Sequence, residues 1–145
     1  MEDEKVGISA LESMPLFADV THHDLENILK LGDLRSYEPG ETIVERGSSS
    51  DALYVILRGA AQVEVGGRYH DMKPGEFFGE MGVITGRKRM ATVKAADRLD
   101  ALRIGAAELE NFLLHQPRVA LSMMKSLVER LREVQERIDA WAGVW

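Results

Sequence analysis

Short apolar segments separated by recurring glycines fill the middle of this sequence and restrict what the chain can fold into. Between residues 33 and 104, glycine stands at positions 40, 47, 59, 66, 67, 75, 79, 82 and 86. Most intervals between these glycines hold one short strand and a turn, a pattern typical of a β-sandwich or a jelly-roll barrel. The stretch shows no alternation of strands with long helices, which disfavours a doubly wound parallel sheet.

Five segments of this stretch are predicted strands, because each is short and either apolar throughout or alternating. They cover residues 42–44, 52–57, 61–65, 91–95 and 99–104. Gly66-Gly67 stands between Val65 and Arg68-Tyr69 and predicts a two-residue hairpin turn.

Residues 8–32, ahead of the strands, carry helical signals. Thr21 can cap a helix, with Asp24 three residues later in a capping box, and Gly32 is a plausible C-terminal stop. Pro15 ends any earlier helix.

A second helical region follows the strands. Residues 108–114 predict a short amphipathic helix, and Pro117 suits the first turn of a longer one. The longer helix carries a heptad seam formed by Leu121, Met124, Val128, Leu131 and Ile138. Gln135 is the polar exception in this seam, and Leu127, Val134 and Trp141 widen the apolar stripe. One edge of the stripe is therefore expected to pack on the barrel and the other on a second copy of the helix.

Length and pattern together predict a single domain in three parts. These are an N-terminal helical segment over residues 1–32, a β jelly roll over 33–104 and C-terminal helices over 105–145.

Composition excludes several classes of protein. The chain has 18 basic and 24 acidic residues, so it lacks the bulk positive charge of a nucleic-acid-binding domain. It has no cysteine, which excludes a disulfide framework and a thiolate zinc site. The sequence has no apolar run long enough for a membrane span and no signal-peptide layout, so a cytoplasmic location is expected.

The residues that carry chemistry lie between positions 75 and 95. Gly79 and Gly82 flank Glu80, and glycines let backbone N–H groups turn towards an anion. A helical turn over residues 82–86 would add partial positive charge at the same place. The planar fork of Arg89 suits phosphate oxygens, and a nearby carboxylate can accept a hydrogen bond from a sugar hydroxyl. This combination favours a compact nucleotide, and the alternative from the residues alone is a surface ion pair between Glu80 and Arg89.

The segment resembles the phosphate-binding cassette of cyclic nucleotide-binding domains, a family that includes the bacterial catabolite activator, protein kinase A regulatory subunits and cyclic nucleotide-gated channels. The family pattern F-G-E, followed after a spacer by R-x-A-T-V, is matched within residues 78–93. The matching residues are Phe78, Gly79, Glu80, Arg89, Ala91, Thr92 and Val93. The resemblance covers roughly residues 11 to 138. It implies a mainly β fold, an eight-stranded jelly roll with N-terminal helices and two C-terminal helices, one short and one long.

The resemblance also implies roles for individual residues. Arg89 would pair with the exocyclic oxygens of the cyclic phosphate, and Glu80 would accept a hydrogen bond from the ribose 2′-hydroxyl. Backbone N–H groups would complete the phosphate cradle at Gly79, Met81, Gly82, Met90 and Ala91. The base and sugar pocket would be lined by Val63, Met72, Phe78, Arg130 and Gln135. For Gln135 the alternative is a role in helix register, and for Arg130 it is a plain surface position.

Met90 decides the expected ligand. In cGMP-selective members of the family a hydroxyl at this position contacts the guanine, and methionine has none. The expected ligand is therefore cAMP, with cGMP as the alternative.

The function expected from this resemblance is a sensor or regulatory domain that is not an enzyme and needs no cofactor. Ligand binding would reposition the C-terminal helices about a hinge near His115-Gln116-Pro117 and signal to a partner or an attached domain. A homodimer through the C-terminal helix is expected. Direct DNA binding is not, because the sequence ends without a helix-turn-helix.

Two alternatives come from other classes of protein. A cupin-like metal enzyme is disfavoured by four scattered histidines, His22, His23, His70 and His115. The other alternative is a vestigial jelly-roll dimerisation scaffold that does not bind nucleotide.

Overall fold

A computed structural model of the chain describes residues 2–49 and 51–142, and the side chains of these residues apart from 2–6, 81 and 138–142. The helices are α1 (Glu2–Glu12), α2 (His22–Leu31), α3 (Glu80–Thr85), α4 (Ala106–His115) and α5 (Pro117–Ala142), with a 3-10 turn over Pro15–Phe17. The strands are β1 (Asp33–Tyr37), β2 (Thr42–Val44), β3 (Ala52–Arg58), β4 (Ala61–Val65), β5 (Arg68–Met72), β6 (Phe77–Phe78), β7 (Thr92–Ala95) and β8 (Leu99–Gly105).

The eight strands of the described chain form two four-stranded antiparallel sheets. The first sheet has the order β1-β8-β3-β6 and the second has the order β2-β7-β4-β5. This is the strand arrangement of a jelly roll, so the predicted mainly β fold with helices at both ends is confirmed.

Two hydrophobic cores share the central strand β3. Its residues alternate between the two faces of the sheet, so Tyr54 and Ile56 belong to the core between the sheets, whereas Leu53 and Val55 face the helices. The helices cover this second face with residues such as Leu25 of α2. Because β3 is buried on both faces, its sequence is apolar almost throughout.

The five predicted strands are confirmed with ends that differ by one residue at most. The hairpin at Gly66-Gly67 is confirmed, because β4 pairs with β5 across it. Three strands have no predicted segment of their own, namely β1, β6 and β5, the last implied only by this hairpin. All three lie at the edges of their sheets, where β1 and β5 expose four of their five residues and β6 has only two residues. Polar or very short edge strands lack the apolar alternation on which sequence-based prediction depends.

Helix α2 begins and ends where the sequence predicts. The hydroxyl of Thr21 accepts a hydrogen bond from the backbone N–H of Asp24 at 3.2 Å, and Gly32 follows the last helical residue. Gly32 is extended, with φ of −102°, so it does not need glycine for a left-handed turn. It needs glycine for space, because an added Cβ would lie 2.7 Å from the carbonyl oxygen of Arg103. Helix α1 begins at Glu2, earlier than predicted.

Helix α5 packs on the barrel by one edge of its apolar stripe. Val119 and Met123 are buried in the core between helices and sheet, and Leu127 packs against it. The predicted heptad seam lies largely outside this contact, because about half or more of each side chain is exposed at Leu121, Met124, Val128 and Leu131. Ile138 and Trp141 lie outside the described side chains. In the described part of the chain no helix combines the length and apolarity that a membrane crossing needs.

Candidate functional site

The loop between β6 and β7 folds around a short helix that begins immediately after Gly79. Gly79 has φ of +92°, and a Cβ added there would lie 2.7 Å from the carbonyl oxygen of Ala52 and would also collide with the guanidinium of Arg89. Glycine is therefore required here both for the backbone conformation and for close approach. The helix starts at Glu80 rather than at the predicted residue 82, and it ends at Thr85 with Gly86 as its C-cap. Consequently the amides of residues 80–82 precede the first amide that bonds within the helix, that of Val83.

Arg89 is held inside the protein, with only 6% of its surface exposed. Its Nη2 donates to the carbonyl oxygen of Ala52 at 2.8 Å and its Nη1 to that of Gly79 at 3.3 Å. The carboxylate of Asp51 lies 3.7 Å away, and the ring of Tyr54 lies under the guanidinium at 5.9 Å. Burial lowers the pKa of Arg89, but a guanidinium keeps its proton in proteins. The Nε atom of Arg89 is buried and has no hydrogen-bond partner in the described part of the chain.

Glu80 is the second buried charge, with 4% of its surface exposed. Its Oε1 accepts a hydrogen bond from Nη1 of Arg130 at 2.7 Å, whereas its buried Oε2 has no partner among the described residues. The predicted alternative of a surface ion pair between Glu80 and Arg89 is therefore wrong, because both side chains are buried and Glu80 pairs with Arg130 instead.

Arg130 connects helix α5 to this loop. Besides its ion pair with Glu80, its Nη2 donates to the carbonyl oxygen of Phe77, and its guanidinium lies 4.4 Å from the centre of the Phe77 ring. Arg130 is thus part of the site and not a plain surface arginine. The long C-terminal helix is attached to the loop through the same carboxylate that the sequence assigns to ligand binding.

An aromatic wall lies beside the two buried charges. Phe78 stacks on Tyr54 with ring centres 5.1 Å apart and planes 7° apart. Met72 belongs to the same interior cluster, and Val63 packs against it. These predicted pocket residues therefore lie together inside the jelly roll.

The remaining predicted site residues differ in their surroundings. Gly82 is buried within α3, and Ala91 is half-buried just ahead of β7. Met90 is 63% exposed. Met81 belongs to α3, and its side chain lies outside the described part of the chain. Gln135 is exposed on α5, where it forms no hydrogen bond within the described residues, so this structure does not bring it to the site.

Sequence reasoning missed the ionic support of Arg89. Asp51 accepts a hydrogen bond from Nη2 of Arg103 at 3.1 Å while its other oxygen faces Arg89. Asp51 precedes β3, Arg103 lies in β8 and Arg89 precedes β7, so only the sheet register brings the three together. No local sequence signal could have found this triad. Within the described residues no three histidine, aspartate or glutamate side chains are grouped so that they could hold a metal ion.

Comparison with known proteins decides the family. The family model of the cyclic nucleotide-binding domain matches residues 34–116, more than half of the chain. The chain belongs to the cyclic nucleotide-binding domain family. The family is a ligand-binding domain, and the domain itself is not catalytic.

The relatives of this cyclic nucleotide-binding domain belong to several kinds of protein. It is 29% identical over 118 residues to a cyclic nucleotide-gated potassium channel of Mesorhizobium japonicum, covering 81% of this chain and 33% of the channel. It is 31% identical over 98 residues to a cAMP-dependent protein kinase regulatory subunit of Aspergillus fumigatus, covering 66% of this chain and 24% of the subunit. The crystal structure of the Thermus thermophilus catabolite activator protein superposes with a TM-score of 0.78 at 26% identity, covering 88% of this chain and 63% of the activator. The match spans a third or less of the length of these channel and kinase relatives.

Proposed function

We propose that this domain binds cAMP, with the phosphate at Arg89 and the ribose at Glu80. One observation carries the proposal. The two buried charges each keep one buried polar atom without a partner among the described residues, Nε of Arg89 and Oε2 of Glu80. A buried polar atom of a charged group is costly when it is unpaired. A cyclic nucleotide offers an anionic oxygen to the first atom and a hydroxyl hydrogen to the second.

The rest of the loop fits the same ligand. Backbone N–H groups at Gly79, Met81, Gly82, Met90 and Ala91 would complete the phosphate cradle, and two of these residues lie in the first turn of α3. The apolar body of the nucleotide would contact Phe78, Met72 and Val63, which are gathered beside the charges. Met90 supplies no hydroxyl for a guanine, which supports cAMP over cGMP.

Signalling would pass through the shared carboxylate of Glu80. Its Oε1 already binds Arg130 of α5, and its free Oε2 is the atom assigned to the ribose hydroxyl. The ligand and the helix therefore occupy different oxygens of one carboxylate and can stabilise each other. Binding then favours the docked position of α5, with Gln116 as the non-helical hinge between α4 and α5. The output would go to a partner protein or an attached domain in the cytoplasm.

The exposed seam of α5 favours a second copy of this chain as the partner. In the heptad of the exposed seam, the positions lettered a hold Leu121, Val128 and Gln135. The positions lettered d hold Met124 and Leu131. A β-branched residue at a with leucine at d favours two parallel strands, and one polar a position fixes the register. The same seam favours the second candidate function, a dimerisation scaffold that no longer binds nucleotide.

Calorimetric titration of the full chain with cAMP and with cGMP tests the binding proposal. We expect saturable binding, tighter for cAMP, that weakens about tenfold or more in Arg89→Gln and in Glu80→Gln, because each loses a charge-assisted hydrogen bond. Arg87→Gln is the matched control, since Arg87 is exposed in the same loop and is expected to bind as the wild type does.

Circular dichroism shows whether each variant is folded, and Arg89→Lys provides a milder change if the glutamine variant is not. If the folded wild-type chain binds neither nucleotide, the binding proposal is overturned and the dimerisation scaffold remains as the candidate function.

A further inference from the structure

A cleft of about 420 Å³ opens on the helix-facing side of the first sheet, away from residues 79–91, the nucleotide loop of the proposed function. It lies between α1 and the ends of β1, β3 and β8. Arg58 is the last residue of β3 there. Ala52, which binds Arg89, stands at the other end of the same strand, so the cleft lies about 20 Å from the nucleotide loop at ~3.3 Å per residue. None of its lining residues belongs to the site described above.

The cleft is rich in positive charge, although the chain as a whole carries a net charge of −6. Three arginines are among its lining residues, Arg35, Arg58 and Arg98, against one aspartate, Asp100. Asp100 is already engaged, because its Oδ1 accepts a hydrogen bond from the hydroxyl of Ser36 at 2.7 Å.

Two of these arginines, Arg58 and Arg98, keep most of their donors free, whereas Arg35 is engaged with the hydroxyl of Tyr37. Arg35 and Arg98 lie 3.8 Å from Asp33 and Glu38, beyond hydrogen-bond distance, and these exposed pairs contribute little. Arg58 forms no ion pair or hydrogen bond within the described residues. Each guanidinium carries five N–H donors in a fork that matches carboxylate or phosphate oxygens.

Backbone features bring the chain at Arg58 close to the chain at Arg98, since a Cβ added at Gly59 would lie against the carbonyl oxygen of Arg98. A bulge in β3 between Ile56 and Arg58 adds one residue opposite β8, which redirects the side chains at that end of the strand. The turn that follows is tied to the loop carrying Arg98, because the N–H of Ala60 donates to the carboxylate of Asp97 at 2.7 Å.

The inner wall of the cleft is apolar. Leu57 is 7% exposed, Leu34 is 40% exposed and lies against Gly7, and the α1 side of the cleft is the backbone at Gly7. A volume of about 420 Å³ is at the small end of the range that organic ligands occupy in proteins. Apolar side chains beside two arginines with free donors suit a compact molecule that carries an anionic group.

We propose that this cleft is a second ligand site, which binds a small organic anion with its phosphate or carboxylate group at Arg58 and Arg98 and its apolar body against Leu34 and Leu57. The site is independent of the nucleotide loop, so the proposal stands whether or not the domain binds cAMP.

The test follows backbone amide shifts of the full chain in ¹H–¹⁵N NMR spectra during titration with phenyl phosphate and, separately, with inorganic phosphate. We expect phenyl phosphate to shift the amides of residues 57–59 and 98–101 and to bind about tenfold or more tightly than inorganic phosphate, since only it reaches the apolar wall. The Arg58→Gln/Arg98→Gln double variant should lose these shifts. The matched control, Arg46→Gln/Arg68→Gln, removes two exposed arginines elsewhere and should keep them.

Arg89→Gln should also keep them, which separates this site from the nucleotide loop. Amide dispersion in the same spectra shows that each variant is folded, and Arg58→Lys/Arg98→Lys provides a milder change. The proposal is overturned if shifts are confined to residues 79–91, if both probes bind equally, if the double variant binds unchanged, or if neither probe binds.

Discussion

At the scale of single residues, Gly79 shows how one absent Cβ builds a site. Its positive φ turns the chain from β6 into α3, and its lack of a side chain lets Arg89 reach the carbonyl oxygens of residues 79 and 52. Gly86 at the other end of α3 also has a positive φ of 73°, but a Cβ added there would meet nothing within 4 Å. Comparing alanine substitutions at Gly79 and Gly86 therefore separates the cost of backbone strain from the cost of steric collision.

We predict that Gly86→Ala lowers the free energy of unfolding by about 1 kcal/mol, the cost of a left-handed alanine. Gly79→Ala carries the same strain and in addition displaces Arg89, so it should cost about 2–4 kcal/mol and remove nucleotide binding. Urea unfolding and calorimetric titration of both variants measure these effects. Equal costs at the two positions would show that Arg89 yields freely to the methyl group, which contradicts the close approach described for Gly79.

The contacts of the two buried charges, Glu80 and Arg89, show which features of a single residue can be predicted from sequence. Glu80 and Arg89 could be singled out because they lie with their glycines in one continuous loop, and the resemblance of that loop to a phosphate-binding cassette implied their roles. The pairing of Glu80 with Arg130 spans 50 residues, and the support of Arg89 by Asp51 and Arg103 depends on sheet register. Contacts of this kind are fixed by the fold and leave no local pattern.

At the scale of elements, predictability follows burial. Strand β3 is buried on both faces and was evident as an apolar run. Strands β1 and β5 face solvent along most of their length, so β1 was missed and β5 was indicated only by the hairpin turn before it. Gly32 was placed correctly as a helix end, but its physical reason is contact with β8, which the sequence of α2 does not contain. Helix ends that depend on local caps are therefore predictable, and elements that depend on a neighbouring strand are less so.

Helices α1 and α2 are joined by a histidine whose charge depends on pH. Nδ1 of His22 lies 2.6 Å from Oε1 of Glu12 in α1, and Nε2 lies 3.0 Å from Oε1 of Glu26 in α2. The hydrogen bond to Glu12 and the charges of both carboxylates raise the pKa of His22 above its usual 6.5. Because the folded chain holds this proton more tightly than the unfolded chain, the stabilisation is complete below pH 6.5 and is lost as pH rises through the raised pKa.

We predict that the urea midpoint of the wild type falls relative to that of His22→Gln when pH is raised from about 5.5 to about 8.5. His23→Gln is the control, since His23 is an exposed neighbour on the same helix. It should follow the pH dependence of the wild type. Parallel curves for wild type and His22→Gln would exclude a protonated bridge between α1 and α2.

The connection between α3 and α5 gives a prediction about coupling. If Glu80 binds the ribose hydroxyl and Arg130 together, cAMP should slow amide hydrogen exchange in α5, and Arg130→Gln should reduce both this protection and the affinity for cAMP. Arg132→Gln removes an exposed arginine from the same helix and is expected to leave both unchanged. Hydrogen exchange measured with and without cAMP gives the protection of α5 in each variant. Equal protection of α5 in the wild type and in Arg130→Gln would refute the coupling.

At the scale of the whole molecule, the arrangement of α5 raises the question of assembly. The helix uses Val119, Met123 and Leu127 to pack on the barrel, which leaves the heptad seam facing outwards. Four large apolar side chains in one exposed row are more than a monomeric surface helix needs. The same helix also holds Arg130 at the nucleotide loop, so dimerisation and ligand binding would act on one rigid element.

We predict a dimer by sedimentation equilibrium in the wild type and a monomer in Met124→Glu, because a carboxylate at a d position of a paired seam loses its hydration against the partner helix. Glu133→Lys changes charge on the opposite side of α5 and should remain dimeric. Repeating the measurement with saturating cAMP separates the two functions. A dimer that cAMP strengthens would identify α5 as the output of a sensor. A dimer that cAMP leaves unchanged, in a chain that does not bind cAMP, would identify the jelly roll as a scaffold. A wild type that stays monomeric would refute self-association through the seam.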